Sequence, residues 1–271
     1  MFAAISGLKQ HQVMLDVTAN DIANVNTIGY KSARTTFEDS LTQLQRGAAA
    51  PTANNGGANA AQIGLGVGLG SVDNLMGSGA LQTTGNPLDV AIQGDGFFEI
   101  SEGTPGASMT PTAFTRAGNF TLNQQGYLMT QSGKFVLGTP AGGGPAGAIQ
   151  VTPGATDIAI DQNGGVSWVD PTTNQRVAGP TLQLATFPNP AGLERAGGNE
   201  WIQSASSGAP VAGGPGTNGL GTVTAGAVEM SNVDLAQTFT NMITAERGFQ
   251  ANSRVISTAD EMLQDLVNLK R

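Results

Sequence analysis

Residues 231–271 read SNVDLAQTFT NMITAERGFQ ANSRVISTAD EMLQDLVNLK R, with a single glycine, Gly248, and no proline. Leu235, Met242, Phe249, Ile256 and Leu263 recur at every seventh position, and Phe239, Ala245, Ala259, Leu266 and Val267 widen them into a stripe. Such a run predicts a long helix with one apolar side that packs along another helix. Ser231, followed three residues later by Asp234, resembles a capping box with Asp in place of Glu and sets the helix start. Lys270 and Arg271 bring the positive charge that a helix dipole favours at its C-terminal end.

The other end of the chain repeats the pattern more weakly. Met1, Leu8, Leu15 and Ile22 fall seven apart, with Ile5 and Val25 beside them, until the turn signal Asn24-Val25-Asn26-Thr27-Ile28-Gly29. A second short helix is expected over about Ala33 to Arg46. Amphipathic stripes at the two extremes of a chain pair with each other or with neighbouring molecules, and a coiled coil from one chain alone would be marginal.

Between these ends the texture changes. All but three of the 39 glycines and all 13 prolines lie there. Short apolar runs separated by Gly or Asn turns read as strands: Ala91–Gln93 and Phe97–Ile100 around Gly94-Asp95-Gly96, then Phe114–Leu122, Tyr127–Thr130 and Lys134–Leu137. A further set runs through Ile149–Val151, Ile158–Ile160, Val166–Val169, Thr181–Phe187 and Glu200–Gln203. The expected fold class is α+β: long N- and C-terminal helices forming a coiled-coil-like layer, and a central antiparallel β domain. Residues 1–46 and 229–271 form the helical domain, 47–86 and 213–228 are extended Gly/Ala-rich connectors, and 87–212 is the β domain.

Composition narrows the function. Only 12% of the 271 residues are charged, about half the usual share, and 5% are aromatic. Much neutral surface must remain, of a kind that commonly lies against other protein. A net charge of −8 without basic clusters disfavours nucleic acid. Cysteine is absent, which removes disulfides, thiolate metal sites and thiol nucleophiles together. The first ten residues lack a basic n-region, and no segment approaches the roughly 20 apolar residues of a membrane span, so neither a cleavable signal peptide nor membrane insertion is expected.

Little points to catalysis, a cofactor or a metal. His11 is the only histidine and has no partner in view for a triad or a metal cluster. Gly64-Leu65-Gly66-Val67-Gly68-Leu69-Gly70 lacks the Lys-Ser/Thr of a phosphate loop and fits a strand with one apolar face and one face open to close backbone approach. Asp161-Gln162-Asn163-Gly164 lacks the acidic ladder of a calcium loop and reads as a turn, as does Gly94-Asp95-Gly96. Nothing favours Asp95 and Asp161 as a glycosidase pair. Asn119-Phe120-Thr121 is a glycosylation sequon short enough to arise by chance.

Several longer stretches carry a resemblance. Ala19-Asn20-Asp21-Ile22-Ala23-Asn24-Val25-Asn26-Thr27-Ile28-Gly29-Tyr30-Lys31 is similar to the N-terminal motif of the flagellar rod and hook axial proteins, in which a second Asn usually stands at the position of Asp21. The resemblance continues through Gly85–Phe98, Thr115–Phe120, Met230–Leu235, Ala245–Ser253 and Leu266–Arg271, and so spans nearly the whole chain. Asn20, Asn24, Asn26, Gly29 and Lys31 are its motif residues at the N-terminal end.

The resemblance implies a subunit of a helical tube, with the terminal helices as an inner coiled-coil layer around an export channel and the β domain facing outward. Leu8, Leu15, Ile22, Leu235, Met242, Phe249, Ile256 and Leu263 would then pack within and between subunits. It implies no cofactor. The partners it implies are further copies of the chain, the rod, hook-cap and hook–filament junction proteins, and the flagellar type III export apparatus, with the assembled protein outside the cell. Gln62–Val67 and the ending Asn268-Leu269-Lys270-Arg271 are similar to the hook branch, a flexible torque-transmitting joint, while the short middle also suits a distal rod subunit. A secreted β-rich adhesin could share the middle but would not need the two terminal helices.

Overall fold

The computed structural model of the chain describes residues 2–51, 56–106 and 108–269. The first heptad position, Met1, and the expected charged helix end, Lys270-Arg271, lie outside the described residues. The fold is α+β: helix α1 (Phe2–Ala23), helix α2 (Leu235–Leu269) and, between them, mainly strands. The chain forms two compact units, one holding the helices and residues 33–73, the other residues 24–32 and 74–233.

In the helical unit, α1 and α2 pack antiparallel, with Gly7 beside Asn252 and Gly248 beside His11. The start of α2 differs from the expected capping box. Asp234 is itself the cap, its Oδ1 accepting the N–H groups of Ala236 and Gln237 at 2.9 and 3.2 Å, while Ser231 Oγ accepts from Val233 at 3.3 Å outside the helix. The second helix expected over Ala33 to Arg46 is instead two strands, Ala33–Asp39 and Thr42–Arg46. Ala33–Asp39 pairs with Val67–Asn74, and Thr42–Arg46 pairs antiparallel with Ala61–Gly64. Partners some 15 to 35 residues away along the chain override a local pattern that carries helix-compatible spacing. Gly64, Gly68 and Gly70 turn their open sides to Asp39, Glu38 and Thr36, the close approach expected of that alternating run.

In the β unit, eight strands of a larger sheet follow the order Thr156–Ile160, Gly165–Val169, Arg176–Leu182, Phe135–Thr139, Phe97–Ser101, Ala113–Thr115, Glu200–Ile202 and Glu194–Gly197. Successive side chains alternate between its faces, so Phe97–Ser101 serves two cores. Phe98 and Ile100 join Val90, Ile92, Phe120, Val136, Leu182 and Leu184 on one face, with Phe98 and Phe120 edge to face at 5.0 Å. Phe97 joins Phe114, Phe187, Leu193 and Trp201 on the other.

The stretches expected to be extended Gly/Ala-rich connectors contain paired strands. Thr222–Ala225 pairs with Val90–Gln93, and Ala227–Glu229 with Leu81–Thr83, burying Val223 and Val228. Four residues of the 47–86 connector, 52–55, lie outside the described residues. The apolar content of these strands is one or two residues each, so their flanking glycines masked them in the sequence.

Candidate assembly surface and buried motif cluster

The seam between α1 and α2 is made of small residues. Ala4, Gly7, Thr18 and Asp21 are the buried positions of α1, at helical spacing, and Ala245 is the buried position of α2. A Cβ at Gly7 would lie 2.7 Å from Asn252 Nδ2, and one at Gly248 would lie 2.5 Å from the His11 ring. Glycine inside a helix costs about 1 kcal/mol relative to alanine, so its place here follows from the close approach it permits. His11 packs between Gly248 and the edge of Phe37, whose ring centroid is 5.9 Å away.

The large apolar side chains are less buried. Leu8, Leu15, Ile22, Met242 and Ile256 are half-buried, whereas Leu235, Phe249 and Leu263 are exposed. Phe239, Ile243, Val255 and Met262 are exposed as well. With 35 residues against 22, α2 is about 50 Å long and α1 about 33 Å at about 1.5 Å per residue. Given the Gly7–Asn252 pairing, the last three turns of α2 run past the start of α1, and there Leu266 is 63% and Val267 69% exposed. Among the described residues, nothing in the helical unit covers this stripe.

In the β unit, the segment 24–32 is held by a buried charge cluster. Lys31, 1% exposed, donates from Nζ to Glu229 Oε1 at 2.6 Å and to the Gly77 carbonyl at 2.9 Å. Arg116 donates to Glu229 Oε2 at 3.1 Å and to the Gly94 carbonyl at 2.8 Å, and its guanidinium lies over the Phe97 ring. Glu229 also accepts from the Gly79 N–H at 2.7 Å. Burial lowers the Lys31 amine below the ordinary lysine value, and the hydrogen bond and charge of Glu229 oppose that shift. One carboxylate thus holds two cations from separate parts of the chain, at full desolvation.

Around it, Gly29 has φ +69° and its open side lies 2.5 Å, by a hypothetical Cβ, from the Ala117 backbone nitrogen, so no larger residue fits. The Gly29 N–H donates to the Glu229 carbonyl at 2.8 Å. Arg195 lies over the rings of both Tyr30 and Trp201, at 5.0 and 5.1 Å, and donates to the Lys31 carbonyl. Ser32 donates its N–H to Asn232 Oδ1, and Asn199 Nδ2 donates to the Ile28 carbonyl.

Of the expected motif residues, Gly29 and Lys31 meet in this cluster, and Asn24 Oδ1 accepts from Thr27 Oγ1 at 3.0 Å in the same segment. Asn26 is exposed, and Asn20, also exposed, lies on α1. Asp21, the position that departs from the family pattern, accepts the Ala33 N–H on both oxygens within the helical unit. Arg116 falls within the Thr115–Phe120 stretch of the resemblance, but nothing in the sequence marks it or Glu229 as a partner of Lys31. Their signal was a lone charge inside an apolar strand, Ala227-Val228-Glu229, and at the end of Ala113-Phe114-Thr115.

The remaining candidates are structural. Asp161 Oδ1 accepts the N–H groups of Asn163 and Gly165, as a turn residue does. Among the described residues no group of three His, Asp or Glu side chains is placed to hold a metal, and no helix is long and apolar enough to cross a membrane.

Among the described residues, the two terminal helices carry an exposed apolar stripe and the β unit is held by buried charge, with no site built for catalysis singled out among them. Three family models match the chain: "Flagella basal body rod protein" over residues 1–31, "Flagellar hook protein FlgE/F/G D1 domain" over 91–168, and "Flagellar basal body rod FlgEFG protein C-terminal" over 224–269. The flagellar basal-body rod protein FlgG of Bacillus subtilis is 44% identical over all of this chain and 98% of its own length, and that of Caulobacter vibrioides 38% over 98% and 97%. The flagellar hook protein FlgE of Borreliella burgdorferi is 25% identical over all of this chain and 99% of its own, in an alignment stretched over 444 positions. The chain belongs to the FlgE/F/G family of flagellar rod and hook proteins, a family of structural proteins and not of enzymes.

Proposed function

We propose that the chain is the distal rod subunit of the bacterial flagellar basal body, in place of the hook subunit expected from its ending and from Gln62–Val67. The observation that carries this reading is collinearity. The chain aligns with the rod protein FlgG of Bacillus subtilis over 272 positions, almost residue for residue, whereas the hook protein FlgE matches only across 444 positions. A hook subunit of that kind carries long additional sequence that this chain lacks.

In this reading the subunit polymerises with copies of itself into a hollow tube, and the terminal helices form a coiled-coil-like inner layer. Leu235, Phe249 and Leu263 pack between copies, Met242 and Ile256 are shared with α1, and Leu8, Leu15 and Ile22 line the other side of the same layer. Each large side chain covered contributes about 1.5–3 kcal/mol, so a handful of them matches the whole stability of a typical domain. Other rod subunits and the hook lie at the ends of the polymer, and delivery is through the flagellar type III apparatus to a place outside the inner membrane.

Epitope-labelled protein expressed in a deletion strain, with purified basal bodies viewed by electron microscopy, tests the assignment. The label is expected along the rod, and the deletion strain is expected to stop before a complete rod. Label on the hook, or complete rods in the deletion strain, would return the assignment to the hook.

A further inference from the structure

Glu99 is buried in the β unit, 1% exposed, and its Oε1 has no hydrogen-bond partner. It lies on the strand Phe97–Ser101, on the face that carries Phe97, opposite Phe114 of the neighbouring strand. On its other side it donates its backbone N–H to the Gln183 carbonyl at 3.4 Å. Gln183 lies between Leu182 and Leu184, which point into the first core, so its side chain shares the face of Glu99. Gln183 Oε1 is buried and without a partner too. Two buried acceptor oxygens thus lie on one face, on residues opposed across the strand pair, and the unpartnered donors of that face, Trp201 Nε1 and Arg116 Nε, belong to the neighbouring strands. An ionised carboxylate can only accept, and leaving both unsatisfied is costly.

No charge compensates an anion there. Phe97 and Ser101 flank Glu99 on its own strand, and Ala185 follows Gln183 on Leu184–Thr186. The cations of this face are Arg116, engaged with Glu229 and the Gly94 carbonyl, and Arg195, engaged with Asn74 and the Lys31 carbonyl. Glu102 and Glu200 are paired with Lys134.

We propose that Glu99 is a carboxylic acid in the folded chain, donating its proton across the strand pair to Gln183 Oε1, so that the β unit takes up a proton from solvent when it folds at a pH where the unfolded carboxyl is already ionised. The step is an ordinary protonation: one O–H bond forms on Glu99, its hydrogen bond ends on Gln183, and unfolding returns the proton to water. Burial, the sole cause acting on it, raises the Glu99 carboxyl to about 7 from 4.5. Below pH 4.5 both states hold the proton and Glu99 adds no pH dependence. Between 4.5 and about 7 only the folded state holds it, so stability falls as pH rises, and above that window the loss is constant. The loss amounts to about 300-fold in the folding equilibrium. The contribution of Glu99 therefore favours the fold in mild acid and is lost towards alkaline pH, whichever part of the flagellum the subunit occupies.

The test is chemical denaturation of the full chain from pH 4 to pH 9, for the wild type and for Glu99→Gln, whose amide can donate to Gln183 at every pH. The two are expected to match near pH 4, and the variant to gain up to about 300-fold above pH 7. A carbon-detected NMR titration of the wild-type Glu99 carboxyl supplies a second readout that needs no variant, with an expected midpoint near 7. A midpoint near 4.5 would mean that the Gln183 amide turns its Nε2 towards an ionised Glu99, and would overturn the proposal. A difference between the two proteins that does not change with pH would overturn it as well.

Discussion

The two units solve the same problem with opposite distributions of side-chain size. In the β unit the large apolar residues point inward: Phe98, Phe120, Ile100 and Leu182 fill one core and Phe97, Phe114 and Trp201 the other. In the helical unit the interior is Ala4, Gly7, Ala245 and Gly248, while Phe239, Ile243, Leu263 and Leu266 face outward. A seam of small residues brings two helix axes close but removes little apolar area from water, so the pair gains little by itself. The β unit is complete as one chain. The helical unit leaves its large apolar side chains exposed.

That contrast can be broken from the β side first. Glu229→Ala removes the carboxylate shared by Lys31 and Arg116 and leaves two desolvated cations, which is expected to destabilise the β unit by about 3–5 kcal/mol in urea denaturation. Glu229→Gln should recover part of the loss, because an amide still accepts one of the hydrogen bonds. If Glu229→Ala melted like the wild type, the cluster would not be what holds residues 24–32.

Gly248→Leu sharpens the comparison on the helical side. The added side chain must displace His11, at an expected cost of about 1–3 kcal/mol that falls on hydrogen-exchange protection of the helices and leaves that of the β strands unchanged. Equal loss in both units would show that they do not fold separately.

Lys134 gives the smallest effect. Its amine is raised above the ordinary lysine value of 10.5 by hydrogen bonds to Glu102, first, and Glu200. A raised lysine adds stability that is fully present below pH 10.5 and lost as pH climbs through the higher folded value. Glu102 is largely exposed, so Lys134→Met is expected to cost about 1 kcal/mol at neutral pH, with the difference from wild type vanishing in strong alkali. A loss that persisted there would trace to packing of the lysine stem and not to its charge.

Legibility followed the same division. The outline of α2 was plain from Leu235, Met242, Phe249, Ile256 and Leu263, because a seven-residue repeat of large side chains has few other readings. Which face met α1 was not plain. The signal there was Gly7 and Gly248, single small residues that are ordinarily read as weak points in a helix. Strands around Phe97–Ser101 and Phe135–Thr139 followed from their turns, whereas Ala33–Arg46 took strand structure from partners that local spacing does not reveal. Lys31 carried the motif resemblance, but its partner Glu229 is 198 residues away, and nothing in either neighbourhood announces the pair.

In the proposed tube, the outward stripe of α2 packs against other copies of the chain. The direct measurement is electron microscopy and sedimentation of Phe249→Asp and Leu263→Asp, each alongside the thermal melt of the β unit. The account predicts that both variants lose the ability to form tubes and fail to complete rods in cells, while the β unit melts as in the wild type. Normal polymerisation of either variant would contradict it.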